Sequence, residues 1–517
     1  MRDGAEARRL LPAALALLLI RPANAEETKT MTKAPQIRTP ETLATSLLPS
    51  PSSPLVTFRV QFRTGSIDDP RGKEGLNTLT ALAIGEGGTR RLTYREVTDR
   101  LYPMAASIQA HPDREVTTFI GEVHRDHLQA FYRLFAEVLL TPRFELADFE
   151  RGRDLLLASI QTGLRGNDDE NLGKEALNWF LYQGHPYGRP DAGTVGGLKA
   201  ITLQDVKDHY ARHYRRGNVL IGLAGGYPES LLQTLREDFG ALPSGAPAGF
   251  ELPKPPPIRG MEVLFVDKPA QATAISIGFP IDVTRADKDF FPLLVANSYL
   301  GEHRTFNGRL MNVMRGARGL NYGDYSYIET FLQDGGSTLP LPNIPRRQQT
   351  FSIWIRPVPR DNALFALRQA TRELQRLVAD GIGAEEFEAT RTYLLNYSRL
   401  WAQSLSRRLG YQMDARFYGT PDFIEALQRA LPALTREEVN AAVKAHLGGG
   451  NLKAAVVTEG ADALCALLLS GKPTPITYQT PTTDAALLKE DEEIEAYPLR
   501  LNPENVRVVK AQLLFER

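Results

Sequence analysis

Cysteine is almost missing from these 517 residues; Cys465 stands alone. That excludes an intramolecular disulfide and any zinc site built from thiolates. Its setting, "ALCALLL", makes it a small core residue. Neither sign of charge is in excess: 61 Lys and Arg face 61 Asp and Glu. Nothing in that balance points to nucleic acid or an anionic membrane surface. A membrane-spanning helix needs ~20 apolar residues, and the run from Leu10 to Ile20, "LLPAALALLLI", falls well short. The chain has no His-x-x-Glu-His, no His-Glu-x-x-His and no Gly-x-Ser-x-Gly. The helical zinc-hydrolase pairs and the strained serine elbow are therefore absent.

What is present is ordinary for a soluble globular chain: 42% apolar and 24% charged residues. The length predicts two or more domains. Arg2, Arg8 and Arg9 precede the apolar run, and "ANA" at Ala23–Ala25 supplies a small-x-small cleavage pattern. Residues 1–25 therefore read as a signal peptide cut after Ala25; the alternative is an N-terminal anchor. No cysteine follows the cut, so a lipid anchor there is excluded. Export without disulfides points to a bacterial periplasm, with no stable membrane insertion.

Residues 26–54, rich in Thr, Pro and Ser, read as a flexible leader. Val56, Phe58, Val60 and Phe62 then alternate with polar residues, the pattern of a half-buried strand. "VTTFIGEV" from Val116 and "NVLIGLAG" from Asn218 predict further strands, and "DHLQAFYRLFAEVLL" from Asp126 predicts a helix. A proline-rich seam, 251–260, reads as a linker. After it the layout restarts. Thr202, Val206, His213, Gly217 and Asn218 match Thr435, Val439, His446, Gly450 and Asn451 at one constant offset, each set a capped helix, a turn and an apolar strand. Phe149-Glu150 and Phe387-Glu388 match at nearly that offset. The expected architecture is α+β: two homologous domains, 55–250 and 261–470, each a mostly antiparallel sheet with helices packed on one face. Residues 471–517, proline-rich and then acidic, read as an extended C-terminal tail.

"RTGSIDDPRGKEGLNTLTALAIGEGGT" from Arg63, "GHPYGRPDAGTVGGLKAIT" from Gly184 and the tail "EIEAYPLRLNPENVRVV" carry a resemblance. They resemble the pitrilysin/insulinase type of metallopeptidase, the superfamily that includes the mitochondrial processing peptidase, over essentially all of the chain after residue 25. In active members, the helix after Gly-Leu carries His-x-x-Glu-His, whose histidines bind zinc while its glutamate activates the bound water. A second, downstream glutamate completes the ligand set. Here Thr78, Ala81 and Leu82 occupy the approximate His, Glu and His places, and Ser159 stands near the third ligand position. These side chains cannot replace two imidazoles and a carboxylate. The resemblance thus implies no metal and no cofactor in this chain. His209 and His213, spaced i, i+4, and His124 and His127, spaced i, i+3, lack a glutamate placed as base and read as surface or packing residues; His185 reads as ordering a loop.

In the same family, the second domain carries an arginine and a tyrosine seven residues apart. "RGARGLNY" reproduces that form with Arg315 and Tyr322, preceded by "FNGRLMNV" from Phe306. A phenol can stabilise the oxyanion of a tetrahedral intermediate, and a guanidinium can grip a nearby peptide carbonyl. By composition alone the stretch also reads as a glycine-rich turn with a surface Arg and a packing Tyr. The resemblance implies a zinc-free subunit that supplies Arg315 and Tyr322 in trans to a zinc-bearing homologous chain, acting on unfolded or extended peptide. A non-catalytic scaffold or peptide-binding protein of the same fold is the alternative.

Overall fold

The computed structural model describes residues 43–249, 251–333, 338–339, 341–448 and 450–517. The signal-peptide segment and most of the expected leader lie outside the described residues.

Two sheets organise the chain. The first is built from β1 (Ala44–Pro49), β2 (Leu55–Phe62), β3 (Ser107–Pro112), β4 (Thr117–His124) and β5 (Val219–Gly225), in the order β1-β5-β2-β4-β3. The second contains β6 (Met261–Asp267), β7 (Thr273–Ile281), β8 (Asp324–Tyr327), β9 (Gln349–Val358), β10 (Leu452–Thr458) and β11 (Leu501–Lys510), in the order β11-β6-β10-β7-β9-β8. In each, the pair β1·β5 or β6·β10 is parallel and the next three pairings are antiparallel. The second sheet is the first repeated, with β11 added in parallel beside β6. The repeat extends to detail. Helices Leu203–His213 and Arg436–His446 each open on a capping box, Thr202 with Asp205 and Thr435 with Glu438, and each leads into a seven-residue strand.

β1 corrects the expected leader, because 44–49 is a paired strand. Its backbone satisfies the open edge of β5, which would otherwise present unpaired donors and acceptors. The tail is also corrected. It is not simply extended: it forms helix Ala485–Glu495, then β11, and ends with Leu514 and Phe515 buried in the first lobe. There Phe515 O accepts from Val195 N at 2.9 Å, and Glu516 pairs with Arg165 at 2.7 Å.

Helices cover one face of each sheet, as the sequence predicts, and the opposite face receives a helix from the other lobe. Helix Asp169–Leu181 of the first lobe lies on β7 and β10, burying Leu172, Ala176 and Leu177 with Ala274, Ala455 and Val457. Helix Leu405–Tyr418 of the second lobe lies on β1, β2 and β5, where Leu409 and Met413 bury against Ala224. Gly222 permits that approach, since a Cβ there would sit 2.5 Å from Met413 Sδ. This exchange explains why β2 is buried on both faces rather than half-buried. Arg59, on its polar face, donates to Ser406 O at 3.1 Å and to Asn343 Oδ1 at 2.9 Å across the lobes.

A second bridge joins the lobes at the tip of the β3–β4 hairpin. Asp113 accepts from Arg346 Nε at 2.9 Å, and Glu115 accepts from Arg347 Nε at 2.6 Å. Arg114, buried between them, donates to the Tyr187 carbonyl at 2.7 Å. Among the described residues no helix is long and apolar enough to cross a membrane.

Candidate functional site

Helix Leu76–Gly85 starts under firm control. Asp69 accepts backbone N–H bonds from Gly75 and Asn77, both at 2.7 Å, fixing the helix N-terminus. The second helix of the metal framework, Leu146–Ala158, packs against it; a Cβ at Gly152 would meet Leu79 Cδ1 at 3.2 Å. The framework is therefore built, but the side chains on it do other work. Thr78 donates its hydroxyl to the Asp191 carbonyl, Ala81 is fully buried in the first-lobe core, and Leu82 packs half-buried. Ser159 bonds back to Leu156 O at 2.8 Å where the helix widens into the π-helical segment Ser159–Asn167. Among the described residues no three His, Cys, Asp or Glu side chains form a group able to hold a metal ion.

The histidine pairs take structural places. His209 and His213 stack with centroids 4.4 Å apart, and His209 Nε2 lies 3.3 Å from Asn77 Oδ1. Burial lowers both: His213 is held down to about 4, and His209 is lowered further by its neighbour His213. Both are neutral packing groups at pH 7. His124 accepts from Asp126 N beside exposed His127, and His185 accepts from Tyr187 N at 3.0 Å, ordering that loop.

The structure brings Arg315 and Tyr322 together. Arg315 ends the π-helical turn Met311–Gly316, where Ala317 N bonds to Asn312 O, five residues back. The chain then reverses through Gly319, whose φ of +62° suits glycine. Asn321 holds the far side, donating to Asp324 Oδ1 at 2.7 Å and to Arg356 O at 2.9 Å, and accepting from Gly323 N at 3.0 Å. The Arg315 guanidinium lies 6.0 Å from the Tyr322 ring centroid and 5.2 Å from that of Phe306. Tyr322 is 78% exposed and Phe306 68%. The Tyr322 hydroxyl bonds to nothing among the described residues. A cation flanked by two exposed rings, with a free phenol, can meet a peptide backbone with donors and a flat apolar surface together.

The loop is anchored by residues that sequence reasoning missed. Arg318, fully buried, donates to Asp491 at 2.7 Å and Glu490 at 2.8 Å on the tail helix, and to Val313 O at 2.9 Å. The acidic run "KEDEEIE" was the available signal, because an acidic stretch opposite a basic loop is a docking pattern.

Known proteins share this fold. The family profile described as "Insulinase (Peptidase family M16)" matches residues 46–195, and that described as "Peptidase M16 inactive domain" matches residues 200–394, together well over half of the chain. The chain belongs to the insulinase, or M16, peptidase family. It is 25% identical over 217 residues to a probable mitochondrial-processing peptidase subunit beta of Arabidopsis thaliana, a match covering 41% of this chain but only 40% of that protein. It is 22% identical over 418 residues to the non-peptidase homologue YmxG of Helicobacter pylori, covering 78% of this chain and 89% of the other. Among solved structures, a peptidase M16 inactive domain from Pseudomonas fluorescens superposes with a TM-score of 0.70 at 22% identity, covering 80% of this chain and 95% of that one.

Proposed function

We propose that this chain is the zinc-free subunit of a two-chain periplasmic metallopeptidase. It would be exported by its N-terminal signal and would pair with a homologous chain carrying His-x-x-Glu-His and zinc. Arg315 would grip a carbonyl of the extended peptide, and Tyr322 would donate its hydroxyl to the peptide oxygen on which negative charge develops; the partner's zinc would supply the activated water. One observation carries this reading: a half-buried Arg315 set beside an exposed Tyr322 on the second lobe, in a chain whose helix at the family's metal position has its framework and none of the ligands. One well-placed donor to an oxyanion is worth ~10²–10³ in kcat.

Co-expression with a zinc-bearing homologue tests it. The pair should cleave unfolded peptide, each chain alone should not, and Tyr322→Phe should lower kcat ~10²-fold with assembly intact. A second reading, a scaffold without catalytic part, draws support from the likeness to a protein named a non-peptidase homologue. It predicts that Tyr322→Phe leaves turnover unchanged.

A further inference from the structure

Beside the Arg–Tyr loop the second lobe holds a cavity of about 70 Å³, walled by rings that include Tyr327, Tyr397, Trp401 and Phe423. His303, Thr338 and Tyr397 also line a neighbouring trough that includes Phe306, the ring against which Arg315 lies. The lining is aromatic but not inert. Asn297 Oδ1, His303 Nε2 and Trp401 Nε1 are buried with no hydrogen-bond partner among the described residues. Glu302 also reaches the cavity. Its carboxylate accepts one bond, from Ser298 Oγ at 2.6 Å, and forms no ion pair among the described residues. A carboxylate taken from water without a cation is strongly disfavoured. The opposite wall has no charge to offer it, because Arg285 is held in a fork by Glu329 at 2.8 and 2.9 Å and by Asp414 at 3.2 Å. That arginine lies 4.5 Å from the Phe423 centroid, so the same wall already holds one cation against a ring.

We propose that this cavity is a subsite for a lysine or arginine side chain of an extended peptide, with Glu302 as its counter-ion and the rings as its cage. The subsite rests on the peptide-binding half of the function proposed above and adds a preference to it. The volume suits one long side chain rather than a whole ligand. The apolar stem would lie along the rings, and the charged head would meet the Glu302 carboxylate and the Asn297 carbonyl oxygen. Burial raises the Glu302 carboxyl to about 7, against the lowering by its Ser298 bond. The groups facing it are Ser298 on its own helix, His303, Tyr327 of β8, and Tyr393 and Tyr397 of helix Ala384–Trp401. The tyrosines are shifted upward and His303 is lowered to about 4, so Glu302 alone titrates near neutrality.

Calorimetric titration of the full chain, alone, tests this with short N-acetylated, C-amidated peptides that differ in one central residue. Lysine or arginine should bind about tenfold more tightly than norleucine, and glutamate more weakly still. The lysine preference should grow as pH rises through 7. Glu302→Gln, which keeps the Ser298 bond, should reduce lysine binding to the norleucine level and leave norleucine binding unchanged. Equal affinity for lysine and norleucine, a preference that survives Glu302→Gln, or no peptide binding at all would each overturn the subsite. The assay needs no partner chain, so it fails independently of catalysis. Lost turnover in Tyr322→Phe without lysine preference sinks only the subsite; lysine preference with unaffected turnover sinks only the catalytic role.

Discussion

The bridge at the β3–β4 hairpin tip predicts a large cost for a single truncation, Asp113→Ala. Arg346 and Asp113 are 6% and 2% exposed, so both ends of this pair are out of water. With Asp113 gone, the nearest remaining carboxylate for Arg346 is Asp191 at 3.9 Å, which Arg114 already shares at 4.0 Å. A full unit charge at that distance is worth ~4 kcal/mol at an effective dielectric near 20, and a shared one about half of that. Removing one partner of a buried pair generally costs ~3–5 kcal/mol, so partial rescue by Asp191 places Asp113→Ala near ~3 kcal/mol. The paired replacement Asp113→Leu with Arg346→Met removes both charges and should cost less than the single truncation, because no ion is left buried alone. Urea unfolding at pH 7, followed by far-ultraviolet circular dichroism on wild type, both singles and the double, gives the coupling energy. A loss below ~1 kcal/mol for Asp113→Ala, or additive single costs, would refute the claim that this pair is a desolvated lock between lobes.

Acid should loosen the first lobe. His213 has a folded pKa near 4 against 6.5 when free, so the unfolded chain binds more protons between those values and stability falls as pH drops from 6.5 to 4. The full effect is ~3 kcal/mol, and His213→Phe should flatten that slope in urea unfolding measured across the window. Gly222→Ala should cost ~1–3 kcal/mol by pushing Met413 off β5; Met413→Ala in the same chain should recover part of it in thermal melts. Arg318→Met strands Asp491 without its cation and frees the loop from the tail helix. Amide hydrogen exchange of residues 316–323 should quicken by more than tenfold, while that of β7 and β10 holds.

Some of this was legible before any coordinates. The duplicated domain showed because each half opens a helix with the same kind of cap, Thr202 with Asp205 and Thr435 with Glu438, and follows it with an apolar strand. The family resemblance, not the composition, singles out Arg315 and Tyr322, and the structure sets the guanidinium 6.0 Å from the ring centroid. The helix exchange did not show. Thr57, Arg59 and Gln61 alternate with Val56, Phe58 and Val60, and a polar face looks the same whether water or another lobe's helix covers it. The hairpin tip is hidden for the same reason: Asp113, Arg114 and Glu115 are charged, and partners far away in sequence bury all three. Prolines and acids make the tail read as an extended arm, yet Leu514 and Phe515 are apolar and close the chain onto the first lobe.

The two lobes also differ in what their residues are held for. Helix Leu76–Gly85 is stable without ligands: Asp69 caps it, Thr78 bonds a carbonyl, Ala81 fills core, and two neutral histidines pack near Asn77. Each of those contacts is made by the protein's own groups, so the helix is held at the places where its active relatives would carry ligands. The second-lobe loop is the reverse case. Burying the Arg318 guanidinium against Asp491 and Glu490 is a costly way to hold a turn that an apolar contact could hold more simply. What that anchor delivers is a fixed backbone on which Arg315 sits between two rings while Tyr322 and Phe306 stay in water. A core would bury those rings. In the proposed two-chain reading an outside partner covers them, and the loop exchange rate in Arg318→Met, compared with turnover of the reconstituted pair, separates a held site from a merely stable turn.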